Sequence, residues 1–110
     1  MAKSLFDVKS VGEANLLVVC PIVEGAVVSK PLVNTDTCKA IVFAMDAGQS
    51  ISEHHAPYVA TVHVLDGKLD FAVAGTRRVL AANDWLLIPF DARHDLTALE
   101  PTRFLLTLLK

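Results

Sequence analysis

The sequence is short of charge, of cysteine and of any long unbroken apolar run. Charged residues occupy 20% of its 110 positions, and 10 Lys plus Arg against 12 Asp plus Glu leave a formal net charge of −2. No segment concentrates base. Arg77 and Arg78 are adjacent, but they follow Gly75-Thr76 and read as a solvated hairpin end. The electrostatic footprint of a nucleic-acid binder is therefore missing, and no nucleic-acid partner is expected. The apolar runs fall far short of the ~20 residues of a membrane span, so no membrane attachment is expected either. Asp7 and Glu13 precede the first apolar run, Leu16 to Cys20, and Pro21 stops it, which is unlike a secretory signal. Cys20 and Cys38 lack the CxxC spacing of a metal or redox motif and offer no disulfide framework. Free thiols in a reducing, cytoplasmic setting are expected. Low-complexity tracts, internal repeats and helical periods of ten or more residues are also missing.

What is present is apolar content, 53% of the chain, in a length that suits one domain with one core. A domain this small has much surface per unit volume, so its apolar area is not easily hidden within one copy. That predicts a homo-oligomer, most simply a homodimer. Short runs rich in Val, Ile, Leu and Phe follow one another: Asn15–Cys20, Gly25–Val33, Cys38–Asp46, Val59–Asp66, Lys68–Ala74, Thr76–Ala81, Trp85–Pro89, His94–Leu99 and Thr102–Leu109. Turn residues such as Gly48, Gly75, Asn83-Asp84 and Pro101 break them, a pattern that predicts an all-β domain, a small antiparallel β-barrel. Asp66-Gly67 between two such runs predicts a two-residue hairpin turn. Leu69, Phe71 and Val73 alternate with Lys68, Asp70 and Ala72, giving one wet face. Ala40–Ala44 and Phe104–Leu109 are apolar on both faces and call for cover on both. Residues 1–37 are expected to form outer strands and an interface arm reaching a second subunit, with residues 38–110 forming the barrel proper.

The stretch Gly48 to Gly67, GQSISEHHAPYVATVHVLDG, resembles the first motif of the cupins. Gly48 with five residues to His54 fits, as does the closing Gly67. Asn83 to Ala98, NDWLLIPFDARHDLTA, resembles the second motif, with Pro89 and His94 in register and Asn83 and Asp91 where glycine is usual. Asn and Asp tolerate the left-handed conformations that such positions need. The chain is thus similar to small single-domain cupins, in particular a bacterial subgroup carrying a His-x-Ala-Pro segment without one assigned activity. The resemblance implies a jelly-roll-like, double-stranded β-helix barrel with His54 and His94 in its pocket. It also implies a metal centre of three histidines and a glutamate, but here Ala56 and Ala60 stand at two ligand positions and Ala98 at the final Asn.

Two histidines are short of the about three protein ligands that a catalytic metal needs. His55 is the candidate third ligand, because it adjoins the vacant position in a segment bent by Pro57. Glu53 could supply a carboxylate, although in a regular strand both neighbours of His54 face away from it. The candidate cofactor is a weakly held divalent transition metal: Fe, Mn, Ni, Cu or Zn. His63 has outward parity and is expected on the barrel's outside; Trp85 shares that parity and is either an interface aromatic or, like Phe71, a candidate wall of the pocket. The expected function is the binding of a small molecule, an anion among the candidates, by His54, His55 and His94. Phe43, Met45, Tyr58, Val62 and Ile88 are the expected walls of an apolar pocket. The alternative is a metal-dependent enzyme of the dioxygenase or isomerase type.

Overall fold

A computed structural model describes residues 3–110. Its strands form two antiparallel sheets. The first runs, in spatial order, β1 (Val27–Asn34), β2 (Cys38–Met45), β9 (Thr102–Leu109), β4 (Val59–Asp66) and β7 (Trp85–Ile88). The second runs β3 (Ser50–His54), β8 (His94–Ala98), β5 (Lys68–Val73) and β6 (Thr76–Ala81). The period-two pattern sends one face of each sheet inward. Ala60, Val62 and Val64 of β4, Met45 of β2 and Phe104 of β9 meet Leu69 and Phe71 of β5 and Leu96 and Ala98 of β8 in one core. This is the expected all-β, jelly-roll-like barrel.

Asp66-Gly67 does not close a hairpin. β4 pairs with β7 and β9, whereas β5 pairs with β6 and β8, so Gly67 is the corner at which the chain leaves one sheet for the other. Its φ of +88° explains the glycine, and a Cβ there would collide with Thr102. The tight hairpin lies instead at Ala74-Gly75, between Val73 and Thr76, with φ of 50° and 84°. Two positive φ values match the twist of a two-residue hairpin.

The run Asn15–Cys20 is not a strand but contains one helical turn, α1 (Leu16–Val19). Asn15 caps it, its side-chain oxygen accepting the Leu17 N–H at 2.9 Å. An apolar run this short does not distinguish helix from strand, and the cap decides. This N-terminal segment lies on the chain's own first sheet. Cys20, fully buried, packs with Leu32, Val42 and Ala44, and Phe6, Leu16 and Ile22 lie against them. Leu5 N–H donates to Pro31 O and Phe6 N–H to Leu32 O along the β1 edge. Arg103, only 17% exposed, ties the segment down by donating to Cys20 O at 2.8 Å and to Asp66 at 2.7 Å. The outer cover expected from another subunit is therefore supplied in part by residues of the same chain. Trp85, Leu87 and Leu109 stay exposed beyond it. Among the described residues no helix is long and apolar enough to cross a membrane.

Candidate functional site

His54 ends β3 and His94 opens β8, and the two are direct cross-strand partners. A register irregularity creates this pairing. Ser50 opposes Thr97 and Ile51 opposes Leu96, a register that would carry Glu53 to His94. One extra residue on β3 between Ile51 and His54 brings His54 there instead. A bulge of this kind re-aims side chains. Glu53 turns outward to Arg93, 3.7 Å away on the surface, so neither the carboxylate nor the one arginine near the rim enters the site.

The rings of His54 and His94 stand 4.1 Å apart at 63°. Each is oriented by the backbone two residues before it: His54 Nδ1 lies 2.8 Å from Ser52 O, and His94 Nδ1 lies 3.0 Å from Ala92 O. A carbonyl oxygen only accepts, so each Nδ1 carries the hydrogen, and in the neutral ring each Nε2 keeps its lone pair. Phe71 stacks beneath His94, centroids 6.1 Å apart at 16°. Burial holds His94 below the usual histidine pKa of 6.5, opposed by its bond to Ala92 and reinforced by the neighbouring His54.

The depressed pKa has a consequence for stability. The unfolded chain takes up a proton on this residue near pH 6.5, whereas the folded chain resists it. The stabilising contribution is complete above about pH 6.5 and declines as pH falls from there through the lower folded-state value. Urea titrations at pH 7.5, 6 and 5 should therefore show stability dropping more steeply in the wild type than in His94→Gln. Equal slopes would show that His94 is not held neutral by the fold.

Both imidazoles line a cavity of about 200 Å³ whose remaining wall is apolar apart from Tyr58. Ala56 and Ala60, at the vacant ligand positions, leave that room, and Ile88 closes one side. Ala92 of the β7–β8 loop and Leu106 and Leu108 of β9 complete the wall. Ala92 lies within the second motif but was not singled out there, and Leu106 and Leu108 lie outside both motifs, although the parity of Phe104 marks them as inward. On the other side of the two rings lies a smaller cavity of about 40 Å³, reached by Phe43, Val62 and Phe71. Phe43 stacks on Phe104 at 4.9 Å.

Two expected site residues lie elsewhere. Met45 is completely buried in the core and lines neither cavity, because it sits at the end of β2 next to the Asp46–Gly48 turn. His55 does not turn inward to the vacancy beside His54. Its Nδ1 lies 2.6 Å from Asp91 Oδ1, and Asp91 N–H donates to Ala56 O, stitching the β3–β4 loop to the β7–β8 loop across the mouth. Asp91 adopts φ of 59° and Asn83 φ of 71°, the left-handed conformations that their places in the motif require. His63 is half-buried on the outer face opposite Trp85, as its parity implies.

The metal centre implied by the sequence motifs does not fit the residues present. Free Nε2 atoms backed by carbonyl-bound Nδ1 atoms suit metal ligation. Yet only two rings converge, and among the described residues no three or more His, Cys, Asp or Glu side chains are grouped to hold one ion.

With this geometry in hand, the chain is similar to several solved structures. The conserved SPY1581 protein of Streptococcus pyogenes superposes with a TM-score of 0.87 at 24% identity, covering 98% of this chain and 95% of that one. The cupin 2 conserved barrel domain protein of Leptotrichia buccalis gives 0.81 at 30% identity, covering 84% of this chain and 45% of that one. The polyketide synthase CurC of Streptomyces cyaneus is 41% identical over 51 residues, which are 46% of this chain. The aligned stretch spans 33% of that curated relative's length. The cupin domain family model matches residues 41–108, more than half of the chain and both histidine-bearing strand ends, and the protein therefore belongs to the cupin family.

Proposed function

We propose that this cupin binds a small, largely apolar molecule in the 200 Å³ cavity, with His54 and His94 fixing one end of it. The observation that carries the reading is the pairing of two oriented imidazoles at the end of an otherwise apolar, part-enclosed cavity. This is the general form of a small-molecule site: apolar walls for affinity and a few placed polar groups for orientation. Toluene is a suitable first probe of the cavity by NMR. Methyl resonances of Ala60, Ile88 and Leu108 should shift in the wild type and stay still in Ala56→Leu, which fills the space. Unmoved methyls in the wild type would argue against a binding cavity.

A metal enters this reading only as a weakly held ion bound by His54, His94 and water. The two free Nε2 atoms support it, and the shortage of a third ligand limits it. Protein purified without a histidine tag should retain well under one equivalent of metal, and His54→Ala should lower that content further; content unchanged by the substitution would exclude an ion at the two histidines. Near-stoichiometric iron, manganese or nickel lost in His54→Ala would instead support a metal-dependent enzyme of the dioxygenase or isomerase type.

A homodimer remains part of the proposal. The exposed side chains of Trp85 and Leu87 on edge strand β7, with Leu109 of β9, form the apolar surface it would use. A monomeric mass by light scattering at micromolar concentration would exclude it. The free thiols of Cys20 and Cys38 suit a cytoplasmic location.

A further inference from the structure

The hydrogen-bonding sense of the two histidines restricts what the cavity can hold. Nδ1 of each ring is committed to a backbone carbonyl. Neither Nε2 has a protein partner among the described residues. Among the described residues no buried side-chain nitrogen or oxygen is left without a partner, so Nε2 of the half-buried, cavity-lining His94 is open rather than sealed in protein. In their neutral forms the two rings offer acceptors, not donors.

An acceptor pair is a poor receptor for a carboxylate or phosphate, which needs N–H or O–H donors. The wall carries no Lys or Arg, its one side-chain donor is the neutral Tyr58 hydroxyl, and Arg93 is drawn outward to Glu53. The anionic ligand considered from the sequence is therefore disfavoured. A sugar fits no better. Its several hydroxyls would need partners, and Tyr58, His54 and His94 are the polar side chains in the wall. Unpartnered hydroxyls against Ala56, Ala60, Leu106 and Leu108 would be desolvated without compensation. Size narrows the choice further. An apolar cavity of about 150 Å³ admits benzene, so about 200 Å³ admits one ring with a short substituent.

We infer that the ligand is a neutral single-ring compound bearing a hydroxyl of phenol or enol type. Its ring lies against the alanine and leucine wall, and its O–H donates to Nε2 of His94 or His54. This rests on the binding function proposed above and adds the class of ligand. No metal is required, because the donated hydrogen occupies the lone pair that an ion would otherwise take.

The test is calorimetric titration of chelator-treated protein at pH 7.5 with three probes of one ring size: 4-methylphenol, toluene and 4-methylbenzoate. The expected order is 4-methylphenol at least tenfold tighter than toluene, with 4-methylbenzoate weakest. The His94→Phe and His54→Leu double variant should bring 4-methylphenol and toluene within twofold of each other. A wild-type measurement stands beside it in case that variant does not fold: the ¹⁵N resonances of Nε2 should move with 4-methylphenol and not with toluene. Equal affinity for toluene and 4-methylphenol, or a preference for 4-methylbenzoate, overturns the hydroxyl inference and leaves the binding cavity standing. Failure of all three probes to bind overturns both.

Discussion

Gly67→Ala is expected to destabilise the protein by about 4 kcal/mol or more, a loss reserved for a short list of severe mechanisms. Two of them coincide here. The backbone at Gly67 has φ of +88°, which side-chain-bearing residues rarely adopt, and an added Cβ would reach to 2.7 Å of Thr102 Cα, which is backbone that cannot swing aside. The neighbour is itself fixed. Among the described residues Thr102 is the one buried polar residue, its hydroxyl accepting Lys68 N–H at 2.9 Å and lying 2.7 Å from Glu100 O and 3.1 Å from Lys68 O. Relieving the clash means breaking that network or the start of β5. Typical domains are stable by only about 5–15 kcal/mol, so the variant should unfold at much lower urea concentration or fail to accumulate as soluble protein. A loss under 1 kcal/mol would show that the corner rearranges freely.

Phe71→Ala should cost about 3–5 kcal/mol, the range for truncating a fully buried aromatic side chain. Phe71 is 1% exposed and touches the core from the centre of β5. Urea unfolding measures the loss, and Phe71→Leu, which keeps most of the volume, should lose markedly less. A functional effect should accompany the structural one. The Phe71 ring stacks on His94 and bounds the 40 Å³ inner cavity, so its removal opens space directly behind the imidazole. His94 then loses the surface that holds its ring, and water gains access to it. Its pKa should rise toward the ordinary histidine value, which NMR titration of its ring protons would detect. An unchanged pKa would mean that the backbone bond to Ala92 and the remaining walls suffice to hold the ring.

Much of the architecture is legible in the residues themselves. Alternation in Val59–Asp66 and Leu69–Val73 marks inward Val62, Val64, Leu69 and Phe71, because side chains on a strand change faces at every residue. The elements that escaped are those whose local signals are weak or shared. β3, Ser-Ile-Ser-Glu-His, is too polar to register as a strand, yet it delivers His54 to the site. Asp66-Gly67 carries hairpin chemistry but makes a sheet-to-sheet corner, because a positive φ serves either purpose. Asn15 to Cys20 is apolar enough for a strand and short enough for one helical turn.

The sequence by itself determined the antiparallel barrel, the cupin membership carried by two spaced motifs, and the alanines that empty two ligand positions. Those are properties of residue type and period, and they are local. The motifs also named His54 and His94 for the pocket, with Tyr58 and Ile88 in its wall; tertiary structure alone decided how they are brought together and which expected residues stay out. Which residue faces His94 depends on one extra residue in β3, and a one-residue shift exchanges Glu53 for His54 without changing composition or spacing. His55 went to Asp91 and Met45 to the core for a similar reason. Their destinations depend on partners 36 residues away or on the opposite sheet, and strand parity carries no record of such partners. Even the sense of the hydrogen bonds offered to a ligand came from two backbone carbonyls, at Ser52 and Ala92, each two residues before its histidine, a local geometry that residue type and strand parity do not record.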